Sequence, residues 1–296
     1  MPAALLLASA LAVGTPLGGA PPVGDGQAGE AVPSVDLDWA GAADRMWAGP
    51  NLRANRLQDW RVRGGRLECV EAGPNKPLRT VVHTGVRLAG PGSFTASVQI
   101  EPATGDGDSP IGLVGGFARD SAAGLLIGAE PNLEPRGAAI VHHATGPGAG
   151  YFCGVTAEGR AFLRDLEQPL DAEPIKISGA AFPPSAKGPI TITATVEGGR
   201  LSVKVTRGSS SARFTRGDLP AERLRGSVGL VSHPGSKAPD TTTGRWAFSN
   251  WTMSGDALAV ADAACEIGPI LGTKYTLDAS RGDGPDRGLL TLQAQF

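Results

Sequence analysis

The dominant pattern along the chain is alternation of apolar and polar residues in short runs separated by glycine-rich turns. In PITITATVEGGRLSVKVTRG, Ile190, Ile192, Ala194 and Val196 fall on one face, with Thr191, Thr193 and Thr195 opposite. After Gly198–Gly199 the pattern resumes at Leu201, Val203 and Val205. A period of two sends successive side chains to opposite faces of a strand, and a Gly–Gly pair supplies the positive φ angles of a tight hairpin. DWRVRGGRLECVEAG repeats the arrangement, with Trp60 and Val62 before Gly64–Gly65 and Leu67 and Cys69 after. LRTVVHTG and GSFTASVQI predict two further strands, the second with Phe94, Ala96, Val98 and Ile100 on one face.

Five runs, IGLVGGF, GLLIGAE, GAAIVHHA, GYFCGVT and RAFLRDL, are continuously apolar. They are predicted as strands near the middle of a sandwich, which sets the adjacent His142 and His143 on opposite faces of one strand. GSVGLVSH and GRWAFSNWTMSG close the unit. Strict alternation in the latter puts Trp246, Phe248 and Asn250 on one face and Ala247, Ser249 and Trp251 on the other. Strands recurring with turn signals between them predict an all-β fold, a two-sheet antiparallel β-sandwich over residues 36–255.

The flanks have a different texture. Residues 1–20 carry an apolar stretch from Ala3 to Val13, too short for a membrane span and suited to the core of a signal peptide, so export is expected. Residues 21–35 read as a Gly/Pro/Ala-rich linker. Residues 256–296 read as a linker followed by a short β extension, GPILGTKYTL and GLLTLQAQF, which packs on the sandwich or begins another domain.

Composition agrees with a strand-and-turn protein: 43 Gly and 24 Pro among 296 residues, with 41% hydrophobic. A net charge of −2 and a pI near 6.1 offer no basic surface for phosphates, which argues against nucleic acid as a partner. No later segment has the length of a transmembrane helix. Cys69 and Cys153 sit in apolar contexts and read as small buried hydrophobes, with a disulfide or metal role as the alternative.

The signatures DWRV-x-GGRLECV, ITITATVEGGRLSVKV, GSVGLVSHPG and WAFSNWTM, in that order, resemble the concanavalin A-like lectin/glucanase superfamily, laminin-G-like sandwiches included. ANRLQDWRVRGGRLECVE, GAGYFCGV and GPILGTKYTL are similar to the N-terminal accessory domain of planctomycete-type alkaline phosphatase D-like proteins. The opening W-x-V…G-x-L pattern and the closing F-x-N-W strand are shared with 3-keto-disaccharide hydrolase sandwiches. The resemblance implies a concanavalin A/jelly-roll type of sandwich. It also implies a non-catalytic recognition or accessory module for a glycan or cell-surface ligand, with a phosphatase domain downstream. The alternatives are a sandwich glycoside hydrolase and a plain spacer.

No catalytic residues are predicted. An E-x-D-x-x-E segment, which would line up carboxylates on one face of a strand, does not occur, and Pro169 and Pro174 break the acidic stretch RDLEQPLDAEP. The chain has no D-x-H or N-H-D/E segment for a two-metal phosphatase site. Gly282 to Asp286 fits G-D-x-x-D but stands alone. The candidate binding residues are Trp47, Asn55, His143 and Tyr151. Trp47 lies in ADRMWAGPNLRANR, where its ring either stacks on a sugar or caps the core. Asn55 and His143 would be hydrogen-bonding partners, and Tyr151 belongs to GAGYFCGV. No protein metal site or other cofactor is predicted, apart from a calcium-loop-like placement of Asp106 and Asp108 whose alternative is a polar turn.

Overall fold

Two Gly–Gly turns set the register of the first sheet. Gly64 and Gly65 (φ 55° and 72°) and Gly198 and Gly199 (φ 54° and 75°) put two successive residues in the left-handed region, the type I′ geometry that matches strand twist. Trp60 is thereby paired with Cys69, Val62 with Leu67, and Glu197 with Arg200. The computed structural model describes residues 32–70, 78–103, 121–179, 182, 188–235, 245–260, 272–278 and 289–295. Residues 1–20, the run IGLVGGF, Asp106, Asp108, Cys265 and the G-D-x-x-D segment lie outside them.

Numbered along the chain, the first sheet runs β13 (Ser210–Arg216), β12 (Arg200–Arg207), β11 (Ile190–Glu197), β6 (Phe94–Pro102), β15 (Trp246–Ser254), β4 (Arg66–Cys69), β3 (Trp60–Arg63), with β1 (Ser34–Leu37) also on β15. The second runs β10 (Lys176–Ile177), β9 (Ala161–Asp165), β8 (Tyr151–Thr156), β7 (Ala122–Ala129), β14 (Gly226–His233), β5 (Arg79–Leu88), β16 (Leu258–Val260), with β2 (Leu52–Ala54) also on β5. All these pairs are antiparallel. The protein is a two-sheet antiparallel β-sandwich. It spans Ser34 to Val260, a few residues beyond each boundary read from the sequence. β17 (Gly272–Asp278) and β18 (Leu289–Gln295) form the expected C-terminal hairpin, pairing with each other.

The core lies between the sheets. Trp60, Trp246, Trp251, Phe94 and Phe248 from the first sheet are fully buried against such residues as Leu125, Ile127, Cys153 and Leu163 from the second. Each large apolar side chain removed from water stabilises the fold by about 1.5–3 kcal/mol. The first sheet's outer face is polar, with hydroxyl pairs Thr95–Thr195 at 3.3 Å and Ser97–Thr193 at 3.2 Å bridging β6 and β11. Simple alternation misplaces Trp251. The register of β15 on β6 shifts between Ser249 and Thr252, with Asn250 at φ 48°, so Trp251 joins Trp246 and Phe248 in the core. An extra residue in one strand flips the parity of everything after it.

The second sheet is buried on both faces. In β7, Ala123, Leu125 and Ile127 face the first sheet, while Ala122 and Leu126 enter a second apolar cluster with Phe152, Phe162, Val82 and Val231. Part of that outer face is covered by α1 (Pro135–Val141), which packs on β5 and β14. The expected strand GAAIVHHA is therefore a helix and its exit. Pro135 at the first helical position is pre-set for helix, and the Glu134 carboxylate accepts a hydrogen bond from the Gly137 N–H at 2.5 Å. His142 and His143 are consequently not strand neighbours: His142 is buried, its Nε2 3.1 Å from Thr80 Oγ1, while His143 is exposed.

Candidate functional site

A cavity of about 400 Å³ opens on the second sheet's outer face where α1 does not reach. Phe152 of β8 and Phe162 of β9 form its buried floor, 2% and 4% exposed, with rings edge to face and centroids 4.8 Å apart at 83°. Gly154 makes this packing feasible, because a Cβ there would stand 2.7 Å from Phe152 Cε2 and 2.8 Å from Phe162 Cζ. Its register partner Gly124 is just as tight, with a Cβ falling 2.1 Å from the Cys153 carbonyl oxygen. Strand chemistry thus builds an aromatic floor over a side-chain-free stretch of backbone.

The cavity rim is polar. Thr156, Glu158 and Arg160 come from the β8–β9 hairpin, and His233 from the end of β14. Arg160 and Glu158 are 3.8 Å apart and both substantially exposed, so their pairing contributes about 0–1 kcal/mol and leaves both groups adaptable. Arg164 donates from Nη1 to the carbonyls of Leu170 (2.7 Å) and Ala172 (2.5 Å), pinning the loop that supplies Leu170 and Pro174 to the rim. None of these lining residues was among the binding candidates read from the sequence. The available signal was the apolar residues of GYFCGVT and RAFLRDL on the parity opposite the core, which marks a face that is not simply solvated.

Three of the four binding residues read from the sequence come together elsewhere, along the segment 53–56 that continues β2. Trp47 is half-buried on one side, its backbone carbonyl accepting from Arg45 Nε at 3.0 Å while that guanidinium stands 5.6 Å from its ring centroid. His143 is on the other side, after α1. Asn55 lies between them. Its Nδ2 donates to the Leu78 carbonyl (3.0 Å) and its Oδ1 accepts from the Thr80 N–H (3.1 Å), so it clamps the segment to β5.

Tyr151 is set apart. It is fully buried in the core, where burial raises its pKa, and Arg223 sits 4.7 Å from its ring centroid. Its position on β8 has the parity of Cys153 and Val155, the side facing the first sheet, so no ligand reaches it in this conformation. Arg223 also binds Asp165 at 2.6 and 2.8 Å, and this hydrogen bonding holds the Asp165 carboxyl below its usual range. The start of the acidic stretch is thereby tied to the sandwich.

Cys69 and Cys153 are buried as expected, and burial pushes the Cys153 thiol far up. Among the described residues no group of three or more His, Cys, Asp or Glu side chains is arranged to hold a metal. No helix among them is long and apolar enough to cross a membrane.

No protein-family model matches the chain, and no curated protein does. Solved structures similar to it include lectins and a lectin-like protein. Lectin II from Ulex europaeus aligns with a TM-score of 0.46 at 10% identity, over 75% of this chain and 98% of that one. Basic winged bean lectin with Tn-antigen aligns at 0.49 and 13%, over 78% and 100%. Arcelin-5, a lectin-like defense protein from Phaseolus vulgaris, aligns at 0.48 and 12%, over 75% and 98%. At these values the likeness bears on no ligand, and the assignment of function rests on the site.

Proposed function

We infer that this chain is a β-sandwich recognition module that binds a saccharide in the cavity beside Phe152 and Phe162. The observation carrying this reading is a cavity of about 400 Å³ whose apolar floor includes Phe152, Phe162 and the exposed Ile177, under a rim of hydroxyl, guanidinium, carboxylate and imidazole groups. A pyranose has apolar C–H faces that pack on an apolar floor and hydroxyl edges that need such donors and acceptors, and ligand sites combine an apolar lining with a few polar groups in this way. Glycoside hydrolysis uses two carboxylates flanking the bond. The described lining residues include one, Glu158, which supports binding over turnover. Service as the accessory part of an alkaline phosphatase D-like protein, and export, rest on the sequence resemblance and the signal-like residues 1–20. The reading frame beyond Phe296 and the N-terminus of the mature protein test them.

The full chain, titrated calorimetrically with gluco-, xylo-, manno- and galacto-oligosaccharides, should bind at least one series. Phe162→Ala should weaken that binding about tenfold or more, a loss of about 1.4 kcal/mol. Absence of binding to every series, or a hit indifferent to Phe162→Ala, overturns the site. New reducing ends that vanish in Glu158→Gln would instead establish a hydrolase.

A further inference from the structure

Segment 53–56 forms the common wall of two grooves, of about 640 Å³ and 580 Å³, remote in the lining from the aromatic cavity. The first groove adds Met46, Trp47, Leu57 and Gln58; the second adds the end of α1 and its exit, with Ile140, Val141 and His143. Their charge is one-sided. Arg53 and Arg56 line both grooves, and no Asp or Glu is among the described lining residues of either. Glu130, close enough for His143 to influence its carboxyl, lines neither.

Arg53 is the decisive residue. Its backbone is opposite Val82 in the β2–β5 register, so alternation sends its side chain to the sheet face on which α1 packs. Its Nη1 is buried with no hydrogen-bond partner, and no described carboxylate pairs with it. A guanidinium does not escape this cost by losing its proton, and Arg53, only partly buried and lining both grooves, keeps a charge that an anion there can answer. The Asn55 clamp holds the segment that carries Arg53 and Arg56 to β5, so its backbone is ordered before binding. The half-buried Trp47 ring beside Arg53 and Arg56 adds an apolar platform, and Met46 and Ile140 expose 69% and 64% of their surface at the margins.

We propose that these grooves bind an anionic saccharide, the acid group seated on Arg53 and Arg56 and a sugar ring packed on Trp47. A guanidinium fork matches a carboxylate or a sulfate ester through paired hydrogen bonds, so uronates and sulfated sugars share the required chemistry. The proposal rests on the glycan reading above only for the choice of a sugar as carrier, and the site is a different one.

The test uses the full chain with polygalacturonate, dextran sulfate, neutral dextran and polyglutamate, by affinity electrophoresis and calorimetry at two salt concentrations. One or both acidic polysaccharides should bind, and whichever arm binds identifies the acid. The double variant Arg53→Gln/Arg56→Gln should weaken that binding about tenfold or more. Trp47→Ala should weaken binding of the polysaccharide and leave its salt dependence unchanged. Phe162→Ala should leave acidic binding intact, whereas the double arginine variant should leave any neutral-sugar binding intact, so the two sites fail separately. If the double variant does not fold, the exposed Arg56→Gln alone should still cost about threefold. The proposal is overturned if neither acidic polysaccharide binds, if polyglutamate binds as well as they do, or if binding is indifferent to the folded arginine variant.

Discussion

The two sheets solve the problem of a second face in opposite ways. The first buries one face and presents the other to water as a ladder of hydroxyls, Thr95 with Thr195 and Ser97 with Thr193. The second is apolar on both faces, and its outer side is divided between α1 and the cavity at Phe152 and Phe162. A polar face needs no cover. An apolar one needs a helix, a loop or a ligand, and the candidate site is where helix and loop leave room. The proposed saccharide site therefore belongs to the sheet whose sequence does not alternate.

The largest test of this contrast is acid. Burial depresses the pKa of both His83, on β5 against Trp251, and His142, behind α1, to about 4. The neighbouring His143 adds to the effect on His142. In the unfolded chain each titrates near its ordinary value of 6.5, so the unfolded state binds more protons as pH falls. Stability should be fully present above pH 6.5 and decline toward pH 4, by on the order of 3 kcal/mol for each histidine. Denaturant midpoints measured across that window should show the fall, and His142→Gln should remove about half of it. A flat profile would mean that the second sheet's interior is wetter than its packing implies.

A smaller effect is expected from Gly124→Ala. The new methyl group would press on the Cys153 carbonyl of the adjacent strand, and the cost should be about 3 kcal/mol, read as a lower denaturation midpoint with loss of cavity binding. The smallest is expected on the other sheet. Thr193→Val removes a half-exposed hydroxyl pair and should change stability by about 0.5 kcal/mol, with saccharide binding untouched. Equal losses from the two substitutions would erase the distinction between the sheets.

Much of the fold was legible because its turns and alternation are local. Gly64–Gly65 and Gly198–Gly199 announce their hairpins, and Ile190 to Val196 announce which face is inside. Three features were not. GAAIVHHA has no period long enough to separate helix from strand, and the start at Pro135 just before it, with packing on β5 and β14, decides. Trp251 changes face at a bulge that alternation does not register. The aromatic floor was hidden because Phe152 and Phe162 belong to a second buried cluster whose face alternation alone does not reveal. Of the binding set, Trp47, Asn55 and His143 proved neighbours of one segment, although they come from different stretches of chain, whereas Tyr151 went to the interior.

The position of β15 has a consequence for the order of events during folding. This strand, Trp246–Ser254, lies between β6 and β4 and also carries β1, so three strands from the first 102 residues share a neighbour that arrives more than 140 residues later. The bond from Asn250 to Gln99 spans 151 positions, and those from Ser93 to Asp256 span 163. Closing loops of that length precedes any reward from pairing, which makes such topologies slow folders. A nascent chain that has not yet released Ser254 holds β1, β4 and β6 without their common partner. The first sheet is then completed only after Ser254 has emerged, although β6, β11, β12 and β13 can pair before it.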